Sequence, residues 1–328
     1  MKKYIYILAT LLSTLLTSCQ IANLGNTVTG QSFELLVVGD ERVWRDSIGI
    51  KLAELLKGDM PGLAQSEQFF TVSFVRTEEF TGIFKPVRNI LFYEIDEKKY
   101  TQGKVNYTRD VWANTQAIAR ITAPDVFELE KTYNENIDII RRFFMNAEFE
   151  RSNNFFATHR NIALTDTVKA RFGATLIIPS HLTLDKYGKN FCWFSNGNIN
   201  MNQNIIVYKT PYTSKEDLTP ERILAVRDSF LKENVPGPTE GSYMTTEYRY
   251  IPPISQAVRS KDNKYCMEIR GLWRVEGDMM GGPFVSRTYL DKDNKNIVTA
   301  EVFIYSPNQK KRTPYRQLEA LISSVTFD

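Results

Sequence analysis

The stretch from residue 4 to residue 16 is almost wholly apolar and directly follows Lys2 and Lys3. It is too short to cross a bilayer, which takes about 20 residues. A short apolar run behind a positive end is the pattern of an export signal. This constrains everything downstream. The remaining chain has no apolar run long enough to form a transmembrane helix, so it is expected to fold after export as a water-soluble body in an oxidising compartment.

The run ends in Leu16-Thr17-Ser18-Cys19, which resembles the lipobox of bacterial lipoproteins: an aliphatic residue, then a small one, then cysteine. The resemblance implies a signal peptide over 1–18, cleavage before Cys19, and lipidation of the Cys19 thiol. One acyl chain gives marginal membrane residence and two or more give stable anchoring, so the membrane is an expected partner through the lipid anchor alone. The alternative is an ordinary signal peptide with a coincidental cysteine. Residues 19–31 are polar and uncharged, and read as a tether. No acidic cluster follows Cys19, which favours an outer-membrane location facing the periplasm. Cys192 and Cys266 remain. An oxidising compartment permits one disulfide between them, and two buried thiols are an equally good reading.

The chain has 328 residues, which suggests two domains. Hydrophobic residues make up 42% and charged residues 24%, enough for a sizeable core and against disorder. The net charge of +3 comes without a basic stripe, so nucleic acid is not an expected partner. The run Lys310-Lys311-Arg312 reads as a solvated loop.

Residues 33–38 read as a buried strand, and Trp44, Ile48, Leu52 and Leu55 recur at helical spacing before Gly58. Residues 69–75, 88–95 and 117–121 are further strands. Asp125 opens a long helix with Glu128 in capping-box position, and Leu129, Tyr133, Ile137, Ile140 and Phe144 form its buried stripe. A polar boundary is expected within 151–161. The domains are then 32–155, an α/β unit, and 156–328, an α+β unit with an antiparallel meander. In the second unit, 174–178, 191–194 and 204–208 read as strands. Thr219-Pro220 starts a helix buried through Ile223, Val226 and Phe230. Strands 265–275, 283–290 and 297–305 form the meander, and Thr313-Pro314 starts a last helix buried through Leu318, Leu321 and Ile322. The fold class is α+β or α/β, in two sheet-and-helix layers, the second largely antiparallel.

Three stretches carry a family resemblance: Leu35-Leu36-Val37-Val38-Gly39-Asp40, Val111-Trp112-Ala113-Asn114-Thr115-Gln116, and residues 270–284, which include Arg270-Gly271-Leu272-Trp273-Arg274-Val275-Glu276-Gly277-Asp278. With them the chain resembles a Bacteroidetes lipoprotein family known only as a domain of unknown function, DUF4837, over nearly all of the mature chain. The resemblance implies an envelope lipoprotein of unassigned activity and brings no catalytic residues with it.

His159 and His181 are the only histidines, which argues against histidine metal sites and histidine-based triads. His181 reads as a loop residue with a satisfied hydrogen bond. Val38-Gly39-Asp40 sits at a strand-to-helix turn, where Asp40 caps a helix or the turn holds an anion. No catalytic residue, metal or cofactor is assigned. The candidate binding loop is Trp273, Arg274, Glu276, Asp278, Met279 and Met280, where glycines allow close approach and two methionines offer an adaptable apolar contact. A plain hairpin with core-covering methionines is the competing reading. Two functions follow: a non-enzymatic binding or assembly module meeting an envelope protein, glycan or lipid, or a carboxylate-dependent hydrolase of envelope glycans. The second would use Glu276 and Asp278, which on an extended strand share one face about 7 Å apart.

Overall fold

The computed structural model describes residues 27–327. The expected export signal, Cys19 and the expected tether up to residue 26 lie outside the described residues. The later part of the expected tether is not free: Thr27 bridges to Asn114 and Thr29 to Val87, with the Thr29 N–H donating to Pro86 O at 2.8 Å.

The apolar run at 33–38 forms β1 (Glu34–Gly39), an inner strand of a five-stranded sheet. Around it lie β2 (Thr71–Arg76), β3 (Asn89–Ile95), β4 (Lys104–Arg109) and β5 (Ala117–Ala123) in the order β2-β1-β3-β5-β4. The pairs β1–β2, β1–β3 and β3–β5 are parallel, and β4 runs antiparallel at the edge. The single helix expected after β1 is two, α1 (Glu41–Arg45) and α2 (Ser47–Lys57), because Asp46 breaks the run and caps the second. Asp40 caps α1 by accepting the Arg42 N–H at 2.7 Å, so the turn is used for capping. Gly39 is required there: a Cβ would lie 2.2 Å from the ring of Tyr93, whose hydroxyl donates to Asp40 O.

Asp125 accepts the Glu128 N–H at 2.9 Å and starts α3 (Val126–Thr158), whose Leu129, Tyr133, Ile137, Ile140 and Phe144 are all buried as the spacing predicts. Truncating any of the fully enclosed ones would cost roughly 2–5 kcal/mol. The polar boundary expected from residue 151 is helical as far as Thr158. Arg151 and Ser152 are buried, with Arg151 bonded to Glu148 and Asn89 at 2.7 Å each. The run Ser152-Asn153-Asn154 looks like a loop, yet Ser152 is buried with its hydroxyl donating to Glu148 O of the same helix at 2.9 Å, while Asn154 faces solvent. After it, α4 (Ile162–Phe172) is a helix that residue spacing did not announce.

The second sheet has eight antiparallel strands: β6 (Thr183–Tyr187), β7 (Phe191–Ser195), β8 (Asn202–Pro211), β9 (Tyr243–Glu247), β10 (Ile254–Arg259), β11 (Tyr265–Glu276), β12 (Gly281–Leu290) and β13 (Asn296–Tyr305). Their order is β10-β11-β12-β13-β8-β7-β6, with β9 also on β11. Together the two sheets and their helices make an α+β fold. Helix α5 (Pro220–Asn234) covers one face of the second sheet, and α4 and α6 (Arg312–Ser323) cover the other. Covering both faces is why the inner strands read as continuous apolar runs: Ile205 and Val207 of β8 enter one core, Ile206 and Tyr208 the other.

Three local expectations change. Residues 174–178 are extended but join no sheet, bridging only at Thr175 to Thr326. The buried stripe of α5 is centred on Ile223, Arg227 and Leu231, with Val226 and Phe230 only partly covered. The fully buried Arg227 is held by a fork to Glu301, 2.7 Å for each of two bonds. Helix α6 begins at Arg312 and uses no cap from Thr313; Glu67, from the other half of the chain, accepts the Lys311 and Arg312 N–H groups at 2.7 and 2.9 Å. Cys192 and Cys266 are free thiols buried in the same core.

The two halves meet around α6. Met60, Leu63 and Phe156 enter the core of the second sheet. Glu319 of α6 accepts from Arg316 at 2.7 Å and from Arg270, which also bonds Glu268 at 2.8 Å; Glu268 takes Arg287 at 2.8 Å. The Arg316 guanidinium lies over Phe69 and Phe149 of the first half, 5.4 and 5.3 Å from the ring centres. Burial opposes ionisation of Glu319, yet the Arg270 and Arg316 guanidiniums outweigh it and hold the carboxyl at about 2.

Removing one member of a buried ionic cluster strands the others and costs about 3–5 kcal/mol. Glu319→Gln is therefore expected to lower the urea-unfolding free energy at neutral pH by that order. A folded-state pKa below the usual carboxyl value contributes stability that is complete above about 4.5 and disappears as pH falls towards 2. The difference between wild type and variant should narrow across that window. A pH-independent difference would show that the carboxylate charge is not what matters.

Candidate functional site

Strands β11 and β12 are joined by a tight hairpin in which Val275 N–H donates to Met280 O at 2.8 Å. Gly277 takes φ 87°, a region costly for other residues. This turn, the chain leaving β9 (Glu247 to Tyr250), the segment 305–308 and residues 63–67 of the first half enclose an open cleft of about 700 Å³. All six residues singled out from the sequence line it, in distinct roles.

Trp273 is a wall residue. It is 4% exposed and packs edge-on to Phe303 at 5.6 Å. Met279, at the tip, is fully exposed, whereas Met280 packs against the core beneath α5. Arg274 reaches Glu276 on its own strand and lies 3.6 Å from Glu247. Glu247 is also gripped by Arg249, through the backbone N–H at 2.6 Å and the guanidinium at 2.7 Å. The Arg249 hydrogen bond, with Arg274 adding to it, holds Glu247 down to about 2. Tyr250 stands 77% exposed with the Arg249 guanidinium 5.3 Å from its ring centre.

The carboxylate pair expected from strand alternation does not form. β11 ends at Glu276 and the positive φ of Gly277 redirects the chain, so Asp278 is no longer on the strand. Glu276 is engaged by Arg274, while Asp278 accepts the Thr239 hydroxyl at 2.7 Å and the Met279 N–H at 2.6 Å. Two polar groups in the wall have no hydrogen-bond partner among the described residues: Trp273 Nε1 and the hydroxyl of Ser306, itself 1% exposed.

Sequence reasoning missed Glu247, Arg249, Tyr250 and the 63–67 loop. The alternation Glu247-Tyr248-Arg249-Tyr250 was a readable signal; the 63–67 loop carried none, because its role arises only when the two halves meet. The histidines lie elsewhere: His181 faces Gln203 at 3.2 Å, and His159 stacks on Phe155 at 4.3 Å. No group of three or more metal-ligating side chains occurs among the described residues.

The two methionines should separate on substitution. Met280→Ser is expected to cost about 1–2 kcal/mol in urea unfolding, from lost apolar burial, and Met279→Ser less than about 0.5 kcal/mol. Equal costs would mean that Met280 does not seat the hairpin.

Residues 28–157 match a family model described as a domain of unknown function, DUF8532, and residues 161–324 one described as a domain of unknown function, DUF4837. No curated protein matches the chain. Of the three stretches that carried the resemblance, only 270–284 falls within the DUF4837 match; the other two fall within DUF8532, so the resemblance covers less of the chain than expected. The DUF4837 match spans the second sheet and the Trp273 hairpin, and on it the chain belongs to the DUF4837 family, a domain of unknown function.

Proposed function

We propose that the protein is a cell-envelope lipoprotein, moored by acyl chains on Cys19 to the periplasmic face of the outer membrane, that acts as a non-enzymatic binding or assembly module through the Trp273 cleft. The observation that carries the binding role is the open cleft of about 700 Å³, which presents the exposed Met279 and Tyr250 beside the Trp273 wall. A concave surface that sets exposed apolar and aromatic side chains among a few fixed polar groups is the usual form of a binding site. The partner is an envelope protein, glycan or lipid.

Binding accounts for the cleft better than hydrolysis does. A two-carboxyl glycosidase needs one carboxyl protonated at working pH and a second opposite it. Here Glu247 is kept ionised by arginine, and Glu276 and Asp278 are each tied to a different neighbour. The charged side chains of this wall largely neutralise one another, which suits recognition of a weakly charged partner. Support for the anchor is the sequence Leu16-Thr17-Ser18-Cys19 behind its apolar run.

Two measurements test the reading. Intact mass of the native protein should correspond to a chain beginning at an acylated Cys19; an unmodified cysteine or a retained signal removes the anchor. A photo-cross-linking residue at position 279 should give discrete adducts in living cells that the same residue at Phe127, 77% exposed on the first turn of α3, does not. Equal adduct patterns at both positions would remove the cleft as the binding site.

A further inference from the structure

The first sheet is covered unequally. Helices α2 and α3 pack on one face. On the other face Leu36, Val38, Ile90, Phe92 and Ile118 are buried under irregular chain alone, chiefly Phe80, Phe84, Val87 and Trp112. These aromatics form one cluster: Phe80 meets Phe92 at 5.1 Å and Trp112 at 5.6 Å. Gln116 ties the two covering segments together, donating to Lys85 O at 2.5 Å and Val87 O at 2.8 Å while accepting the Trp112 N–H at 3.0 Å. In these segments Ile83 is 77% exposed and Val111 49% exposed, and Lys85, next to Phe84, is also exposed. The acidic pair Glu78 and Glu79 that precedes Phe80 is engaged by Arg76.

The described chain begins on these same segments. Thr27 bridges to Asn114, two residues beyond Trp112, and Thr29 bridges to Val87. Cys19 lies eight residues before Thr27. Even fully extended, that length reaches only about 27 Å. Acyl chains on Cys19 therefore keep this corner of the molecule near the bilayer, whichever way the rest turns.

Resting on the acylation of Cys19 put forward above, we propose that the Ile83–Val111–Trp112 face lies against the leaflet that holds the anchor. Ile83 and Val111 enter the interfacial region, the indole of Trp112 sits at headgroup depth, and Lys85 meets anionic headgroups. Exposed aliphatic side chains beside a tryptophan and a lysine are the composition that interfacial contacts favour. The acyl anchor supplies residence; this face supplies orientation.

The experiment uses the full acylated protein reconstituted in vesicles of phosphatidylethanolamine and phosphatidylglycerol. Ile83→Cys carries an environment-sensitive fluorophore, and Ile199→Cys, an equally exposed isoleucine in the other half, is the control. Cys192 and Cys266 are buried and do not compete for label. The probe at 83 should shift to shorter wavelength and lose most of its emission to brominated lipid, while the probe at 199 does neither. In the Ile83→Cys background, Val111→Glu should weaken the contact equilibrium by about tenfold, as expected for exchanging a buried aliphatic group for a charge, and so restore much of the quenched emission. A probe at 83 that stays as wet as the one at 199, on protein whose mass shows an acylated Cys19, overturns the orientation and leaves the anchor standing. An unmodified Cys19 overturns both.

Discussion

Glu319 is the point on which two buried arginines converge, and the position of the last helix follows from it. Arg270 comes from the second sheet, and Arg316 comes from the helix itself while reaching across to Phe69 and Phe149 of the first half. Apolar packing alone would tolerate some sliding of α6 over the sheet. Charges removed from water do not, because each must keep its partner or suffer the full loss of hydration. The helix is therefore fixed in rotation and translation, and with it the segment 305–311 that forms one side of the cleft. The site is a product of the interface between two halves that match different families.

The same economy of pairing recurs wherever charge is buried. Arg227 forks to Glu301 beneath α5, and Arg151 joins Glu148 and Asn89 beneath the end of α3. Each cluster locks a helix to a sheet at a defined register. In the cleft, by contrast, the arginines Arg249 and Arg274 reach towards solvent while Glu247, which they engage, is buried.

What could be read beforehand follows a physical divide. Strands buried on both faces, such as β1, β8 and β13, declare themselves as apolar runs. Helix α3 declares itself through Asp125, Glu128 and the spacing from Leu129 to Phe144. The edge strands β4, β6, β9 and β10 were not legible, since a strand covered on one side or neither carries polar residues like those of a loop; β10 is exposed along nearly its whole length. Residues 174–178 misled in the opposite sense. Ala174, Leu176 and Ile178 alternate inward as strand residues do, yet no neighbouring strand edge is there to pair with them. Arg227 was invisible because a charged residue on a helix is ordinarily assigned to the water side, and only its distant partner Glu301 makes the inward placement tolerable. In the candidate site, the hairpin's glycines and methionines pointed to residues that line the cleft. The roles of Glu276 and Asp278 were misjudged because one backbone angle at Gly277 undoes strand alternation.

The capping of α6 by Glu67 has a consequence in time. A ribosome delivers the chain N-terminus first, so the carboxylate is made some 244 residues before the N–H groups that it serves. A contact so remote in sequence is slow to form by chance encounter. A first half already in place would hold Glu67 where the opening turn of the final helix needs it. The opening turn of the last helix thereby depends on a side chain supplied by the other half of the chain.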